Sequence, residues 1–366
     1  MPCLNNDIYC IHHQAAVWQR LLERTEMEHI LITGATGGLG QTAVDYALAR
    51  GARVLATGRN TEVLSQLAQQ GAQTYTADLV AMPDRLLEEK ADLKSAVWHC
   101  AGLATPWASE EAYTEVNVVL AERMYQAAAR AGVPVFVHIS SPSLYFDFHS
   151  HRDIPEGFQA AHYASGYAAS KAEAEKRLQA LALRSPNTRL VILRPRVLYG
   201  PHDQVFLPRL LRLAQSQHGH LLLPGGGEAV VDLCHLENAA HAMWLATQAK
   251  VPSGSVFNIT DETPVQVRTA VQEFFSALGL QVTVHGVPYA VLAPVAAVAE
   301  WLAGLTRQEP VITRHSLGAL AFDTTLDTRA AREQLGYQPV VSLAEGMRQT
   351  APRLLQTGQR RSRCSL

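Results

Sequence analysis

The sequence predicts an α/β fold, a doubly wound parallel sheet with a smaller C-terminal lobe. Two observations carry this expectation. From residue 29 short apolar runs alternate with longer helical segments, and a glycine-rich turn closes the first run. The elements follow in order: HILIT and a helix to Arg50, RVLAT and a helix to Gln70, AQTYT, SAVWHCA and a helix to Arg130, VFVHIS, a helix from Tyr163, and RLVILR. Strands that alternate with helices pair in parallel through right-handed crossovers. The strands anchored by Leu31, Val54, Val97, Val135 and Val191 are apolar on both faces, as required when helices cover both sides of a sheet. Beyond residue 200 the rhythm weakens. LLLPGGGEAVVDLCH and VPSGSVFNIT read as loops with single strands, and 266–280 and 327–336 read as helices.

The chain has 366 residues, 48% of them hydrophobic and 17% charged, enough to bury a large core. A formal charge of -2 and the lack of a long basic run argue against a nucleic-acid partner, whose phosphates need many cations. Cys3, Cys10, Cys100, Cys234 and Cys364 show neither a CxxC pair nor metal-ligand spacing, so free thiols in a reducing compartment, the cytoplasm, are expected. His149, His151, His202 and His235 have no metal-like spacing and read as surface or loop residues; no metal is expected. The N-terminus lacks the basic and apolar regions of a signal peptide, and Met27, just before the first strand, is an alternative start. Ala290–Leu305 is too short for a spanning helix and is interrupted by Pro294 and Glu300. We expect it to be a buried or pocket-covering helix, with a peripheral membrane contact as the rival and no integral membrane segment.

The first strand runs into Gly34, Ala35, Thr36, Gly37, Gly38, Leu39 and Gly40, and a helix begins near Gln41. Glycines there permit a sharp turn, close approach of a pyrophosphate and tight helix–strand packing, while the helix N-terminus faces the phosphates. This predicts a Rossmann-type dinucleotide site. The second strand ends in Gly58-Arg59, where a carboxylate would ordinarily take the adenosine ribose hydroxyls. A guanidinium in its place suits a 2′-phosphate, so NADP is expected, with NAD as the alternative. Asp78 and Leu79 are expected at the adenine edge, and Cys100, Ala101 and Gly102 give the cofactor a small-residue approach. The corresponding organisation is an extension over 1–27, an NAD(P)-binding domain over 28–200, a mainly substrate-binding lobe interleaved with the sheet over 201–350, and a polar tail over 351–366.

Tyr167 and Lys171 are spaced to share one helix face. A free phenol ionises near pH 10, and a lysine one turn away is expected to bring it toward neutrality. The strand VFVHIS delivers serines to the same sheet edge; Ser141 is the choice for binding a substrate oxygen, with Ser140 and Ser143 as rivals. Tyr145, Phe146, Phe148 and Phe158 follow closely and suit a hydrophobic alcohol or ketone.

These residues resemble the extended short-chain dehydrogenase/reductase superfamily. Its TGxxGxxG matches Thr33–Gly40 and its YxxxK matches Tyr167–Lys171; Ser141 precedes Tyr145 by four positions, and Asn117 opens a helix in VNVVLAERMYQAA. RPRVLYGPHD at 194–203 looks like the family's loop from sheet to substrate lobe, and VDLCHLENAAHAM, FNITD and AREQLGYQPVVSLAEGM look like its C-terminal segments. The resemblance spans about residues 28–350 and is strongest to the 3-beta-hydroxysteroid dehydrogenase and NAD-dependent epimerase/dehydratase-like branch. It implies that Tyr167 is the acid/base, Lys171 its electrostatic partner, Ser141 the oxygen clamp and Asn117 a proton-relay helper. It further places Pro195 at the cofactor and Tyr199 at the substrate, and it suggests a homodimer. Sugar dehydratases of the superfamily carry an Asp-Glu pair after the serine or threonine; Pro142-Ser143 stands there in this chain. The expected reaction interconverts a secondary alcohol and a ketone on a hydrophobic, steroid-like or alkyl substrate. The alternatives are a nucleotide-sugar epimerase with tightly bound NAD and a catalytically silent NADP-binding sensor.

Overall fold

A computed structural model describes residues 28–352 apart from 93, 106, 307, 308 and 311. The N-terminal extension with Met27, the thiols of Cys3, Cys10 and Cys364, and the tail from 353 lie outside the described residues.

The first half runs β1 (His29–Thr33), α1 (Gly38–Leu48), β2 (Arg53–Gly58), α2 (Thr61–Gln69), β3 (Gln73–Thr76), α3 (Asp84–Ala91), β4 (Ala96–His99) and α4 (Glu110–Tyr113). A π-helical turn, Thr114–Val119, then leads into α5 (Leu120–Arg130), β5 (Val135–Ile139), β6 (His151–Ile154), α6 (Gly166–Ala182) and β7 (Arg189–Pro195). The second half continues with β8 (Leu198–Tyr199), α7 (Phe206–Ser216), β9 (His220–Pro224), β10 (Val230–Val231), β11 (Cys234–His235), α8 (Leu236–Gln248) and β12 (Ser255–Ile259). It ends with β13 (Val265–Gln266), α9 (Val267–Ala277), β14 (Thr283–Val287), α10 (Tyr289–Thr306), α11 (Arg314–Ala321) and β15 (Thr324–Leu326).

Seven parallel strands form the main sheet in the order β12-β7-β5-β4-β1-β2-β3. Side chains alternate across it. Ile30 and Ile32 pack with α1, α2 and α8 on one face, whereas Leu31, Val97 and Phe136 pack with α3, α5 and α6 on the other. Strand order reverses between β1 and β4, which opens the crevice where ligands bind in such sheets. The late strand β12 belongs to this sheet although it lies far along the chain. A separate core gathers Tyr199, Leu207, Leu223, Phe274, Phe275 and Met347.

Several boundaries differ from the sequence expectation. The helix expected from Tyr163 starts at Gly166, because Ser165 is extended and caps it through a bond from the Ala168 N–H. The helix expected over 327–336 is a helical run over 329–335 that ends in a π-helical turn, Ala331–Leu335, stopped by left-handed Gly336 (φ 68°). Asn117 lies inside the helical run that starts at Glu110, not at a helix start. The helix α10, expected to be buried or pocket-covering, buries only Ala296 and Ala303. It packs on α11 and leaves Val291, Val295, Val298, Trp301, Leu302 and Leu305 exposed. By length and composition it is the one described helix that is apolar enough to cross a membrane.

The docking of α6 sets the site. Its buried stripe of Ala168, Lys171, Ala174, Glu175, Leu178 and Ala182 faces the sheet. Glu175 meets Arg194 of β7 bidentately: Arg194 Nε donates to Oε1 at 2.8 Å and Nη2 donates to Oε2. Arg194 also donates to the Tyr145 hydroxyl and, at 2.8 Å, to the Glu156 carbonyl. Removing one member of a buried pair strands the other charge. Glu175→Ala is therefore expected to lower stability by about 3–5 kcal/mol in urea unfolding; a loss below about 1 kcal/mol would show that the pair does not anchor the helix.

Candidate active site

The glycine turn is built for close approach. Gly34 is left-handed (φ +64°), and a Cβ there would stand 2.7 Å from the Ala101 backbone at the end of β4. A Cβ on Gly40 would stand 2.1 Å from the Gly34 carbonyl oxygen. The Ala35 N–H donates to the Thr57 carbonyl at 2.9 Å, which joins the turn to the tip of β2. Gly37 caps α1 without any side-chain bond, so the helix end is left to its own backbone N–H groups. Thr36, Gly38 and Ala101 lie at this junction, while the Leu39 side chain is buried in the core. Gln204 reaches over from the β8–α7 loop and donates to the Thr36 carbonyl at 3.3 Å. An open backbone cradle at a helix N-terminus fits a diphosphate.

Arg59 is exposed immediately beyond β2, and among the described residues it has no hydrogen-bond or ion-pair partner. Asp78 is exposed and accepts the Val80 N–H at 3.1 Å; Leu79 packs in the core beside Leu31. Pro195 is the last residue of β7 and pairs with Ile259.

The proton-transfer residues come together where β5 meets α6. Ser140 donates its N–H to the Leu193 carbonyl at 2.8 Å, extending the ladder by one residue, and Ser141 then turns outward and accepts the Ser143 N–H at 3.2 Å. The Ser141 side chain also acts on the Tyr167 phenol and lowers its pKa. The rivals Ser140 and Ser143 have enclosed hydroxyls without partners. The Lys171 ammonium donates to the Ile139 carbonyl at 2.8 Å.

Burial moves these two groups in opposite directions, each toward its neutral form. It pushes the Lys171 ammonium down to about 8, against the carboxylate of Glu175 and the thiol of Cys100. It also holds the Tyr167 phenol above its ordinary value, and Ser141 works against that rise. Desolvation dominates, so the net shift of the phenol is upward and not the move toward neutrality expected from Lys171.

Asn117 sits on the π-helical turn, buried, and clasps the 102–103 segment. Its Oδ1 accepts the Leu103 N–H at 2.7 Å, and its Nδ2 donates to the Leu103 carbonyl at 3.2 Å and to the Ser170 hydroxyl at 3.0 Å. A Cβ on Gly102 would stand 3.3 Å from both Asn117 Oδ1 and Lys171 Nζ, so that glycine is the floor between them. Tyr113 packs beside Tyr167, with ring centroids 6.2 Å apart.

The three expected substrate contacts have internal partners. Tyr145 is fully buried, and its hydroxyl donates to Asn258 Oδ1 at 2.9 Å while accepting from Arg194. The Tyr199 hydroxyl donates to Asp261 Oδ2 at 2.8 Å. Phe146 packs among Phe148, Phe322 and His315. His235, expected at the surface, is 1% exposed and caps α8 by accepting the Glu237 N–H, and burial drops its imidazole to about 4. Among the described residues no cluster of His, Cys, Asp or Glu suits a metal ion.

Sequence reasoning missed a pair of histidines beneath the site. His99 and His138 are cross-strand neighbours whose rings stack 5.6 Å apart. His99 Nδ1 meets Thr33 Oγ1 at 2.9 Å, while His99 Nε2 and both His138 nitrogens are enclosed without partners. Burial, with the Lys171 charge behind it, brings His99 to about 3 and lowers His138 as well. Both are neutral, so Lys171 carries the positive charge of this wedge. The available signal was a polar residue at the same place in two apolar strands, VWHC and FVHI.

The model of the NAD dependent epimerase/dehydratase family matches residues 30–260. The uncharacterized protein YbjS of Escherichia coli is 42% identical over 333 residues, covering 90% of this chain and 98% of that protein. The 2-alkyl-3-oxoalkanoate reductase of Stenotrophomonas maltophilia is 32% identical over 338 residues, covering 87% and 97%. Among solved structures, UDP-glucuronic acid 4-epimerase from Bacillus cereus in complex with NAD shares the fold, with a TM-score of 0.70 at 19% identity over 90% of this chain and 99% of that one.

Proposed function

The chain belongs to the NAD dependent epimerase/dehydratase family, and within it we propose that it is a reductase that converts a hydrophobic ketone to the secondary alcohol with NADPH. Its membership among extended short-chain enzymes makes it an NAD(P)-dependent oxidoreductase. The observation that carries the reductive direction is the Tyr167 phenol, which burial holds above its ordinary value while Ser141 acts against that rise. A phenol with a raised pKa is a poor base and a competent acid at neutral pH.

The dihydronicotinamide, when bound, supplies the hydride. Ser141 donates a hydrogen bond to the ketone oxygen and fixes it beside the phenol. Tyr167 gives its proton to that oxygen as negative charge collects there. Lys171, one helical turn away, offsets the charge of the phenolate left behind. Asn117 holds the 102–103 segment and, through Ser170, the helix that carries both groups. The glycine turn takes the diphosphate, and Arg59 takes the 2′-phosphate of NADP, for which an exposed and unpaired guanidinium at the β2 tip is suited. The Stenotrophomonas relative is named for the reduction of a ketone that bears alkyl chains, which supports a similar preference here.

Three outcomes check this reading. Tyr167→Phe is expected to cut NADPH oxidation with a ketone by about a hundred- to ten-thousandfold while NADPH binding persists; undiminished turnover would remove Tyr167 from the chemistry, and epimerisation without net NADPH loss would favour internal cofactor recycling. Arg59→Ala should weaken NADPH binding by about tenfold and leave NADH binding unchanged, as measured by fluorescence titration. The Lys171 ammonium is charged below its midpoint and neutral above it, so reductive kcat/KM should be level below about pH 8 and fall above it; a rise through that range would contradict the role given to the ammonium.

A further inference from the structure

Two buried arginines flank Pro195, and they differ in one respect. Arg194 has its guanidinium engaged with Glu175, the Tyr145 hydroxyl and the Glu156 carbonyl. Arg196 is 9% exposed, yet no described group accepts a hydrogen bond from its guanidinium, and its Nε is enclosed without a partner. Its backbone N–H donates to the Ile259 carbonyl at 3.0 Å, which holds the residue in line with β12. The opposite charge that acts on it is Asp232, whose Oδ2 already accepts the Leu326 N–H at 2.7 Å. A guanidinium in that setting lacks the paired acceptor that buried cations ordinarily have.

The place of Arg196 relates it to the reacting groups. The β5–β7 register pairs Ile139 with Leu193, and the Ser140 bond to the Leu193 carbonyl continues it. Ser140 is thus abreast of Arg194, Ser141 follows it at the turn, and Arg196 is the first residue beyond the end of β7. On the other side His315 feels the Arg196 charge, and its Nδ1 is enclosed without a partner. Its ring meets Phe146 edge-on at 5.5 Å, and Phe146 directly follows the turn that Ser141 caps. Burial first, and Arg196 second, bring His315 down to about 4, so it is neutral and adds no charge of its own.

We propose that Arg196, with the His315 imidazole beside it, binds the carboxylate of a β-keto acid whose keto oxygen is held by Ser141 and Tyr167. The inference rests on the reductase reading and narrows its substrate to 3-oxo acids with an apolar chain. A carboxylate matches the planar fork of donors and supplies the acceptors that the protein withholds. In such an acid one carbon separates the keto carbon from the carboxylate carbon, so a molecule gripped at its carboxylate by Arg196 would present its keto group close by, toward Ser141 and Tyr167.

The test compares a 2-alkyl-3-oxoalkanoate with its methyl ester in NADPH oxidation, for the full chain and for Arg196→Met and Arg196→Lys. The full chain should prefer the acid in kcat/KM by about ten- to a hundredfold. In Arg196→Met the preference should collapse to near unity, mainly through KM for the acid, and Arg196→Lys should keep part of it. Equal use of acid and ester by the full chain, or a preference that survives Arg196→Met, overturns the proposal. If neither compound nor the decarboxylated ketone is turned over, the reductase reading fails. Calorimetry of the 3-hydroxy acid and its ester on NADP-loaded protein then decides the role of Arg196: the acid should bind at least about tenfold tighter, with the difference lost in Arg196→Met, and equal binding overturns it. Arg196→Met should melt no lower than the full chain, because no internal bond is lost; a markedly lower melting temperature would make Arg196 a structural residue and also overturn the proposal.

Discussion

The hydrogen bond from the Lys171 ammonium to the Ile139 carbonyl is the constraint on which the site depends. It ties the middle of α6 to the last residue of β5, inside an interface that is otherwise largely apolar. Apolar packing alone would tolerate sliding of the helix, since any residue of similar volume fits. A buried ammonium does not, because its cost is met only where an acceptor stands. With that register fixed, Tyr167 one turn earlier falls beside Ser141, which leaves β5 two residues after Ile139. Glu175, one turn later, secures the same helix to β7 through Arg194.

One physical cause gives the cluster its chemical character. Desolvation disfavours charge of either sign, so it raises the phenol, lowers the ammonium and keeps His99 and His138 uncharged. Surrounding Lys171 with neutral imidazoles leaves its charge undiluted by a second cation. The contrast across Pro195 follows the same logic. Arg194 is saturated and serves the fold, while Arg196 keeps its donors for an acceptor that the chain does not provide.

Much of this was legible in the sequence, because it depends on short-range pattern. The parallel strands, the glycine turn and the Tyr167–Lys171 face are each written within a single segment, and the structure places them as read. What escaped depends on partners far along the chain. The Tyr145 hydroxyl is taken by Asn258, 113 residues away, and that of Tyr199 by Asp261, 62 residues away. Neither spacing signals a contact, so both phenols read as free for substrate. The placement of β12 beside β7 and the stacking of His99 on His138 likewise require the sheet order first. How far α10 is exposed was not legible, because apolar composition says nothing of how much neighbouring surface exists to cover a helix; α11, its main neighbour, leaves much of it uncovered.

The central claim is that Tyr167 acts as a protonated acid. Its most direct test is an NMR titration of the protein carrying ring-carbon-labelled tyrosine, with the Tyr167 signal assigned by its loss in Tyr167→Phe. The account predicts that this phenol stays protonated through neutral and mildly alkaline pH and ionises above the ordinary value of 10.0. A midpoint near neutrality would contradict it and make the residue a base poised for alcohol oxidation.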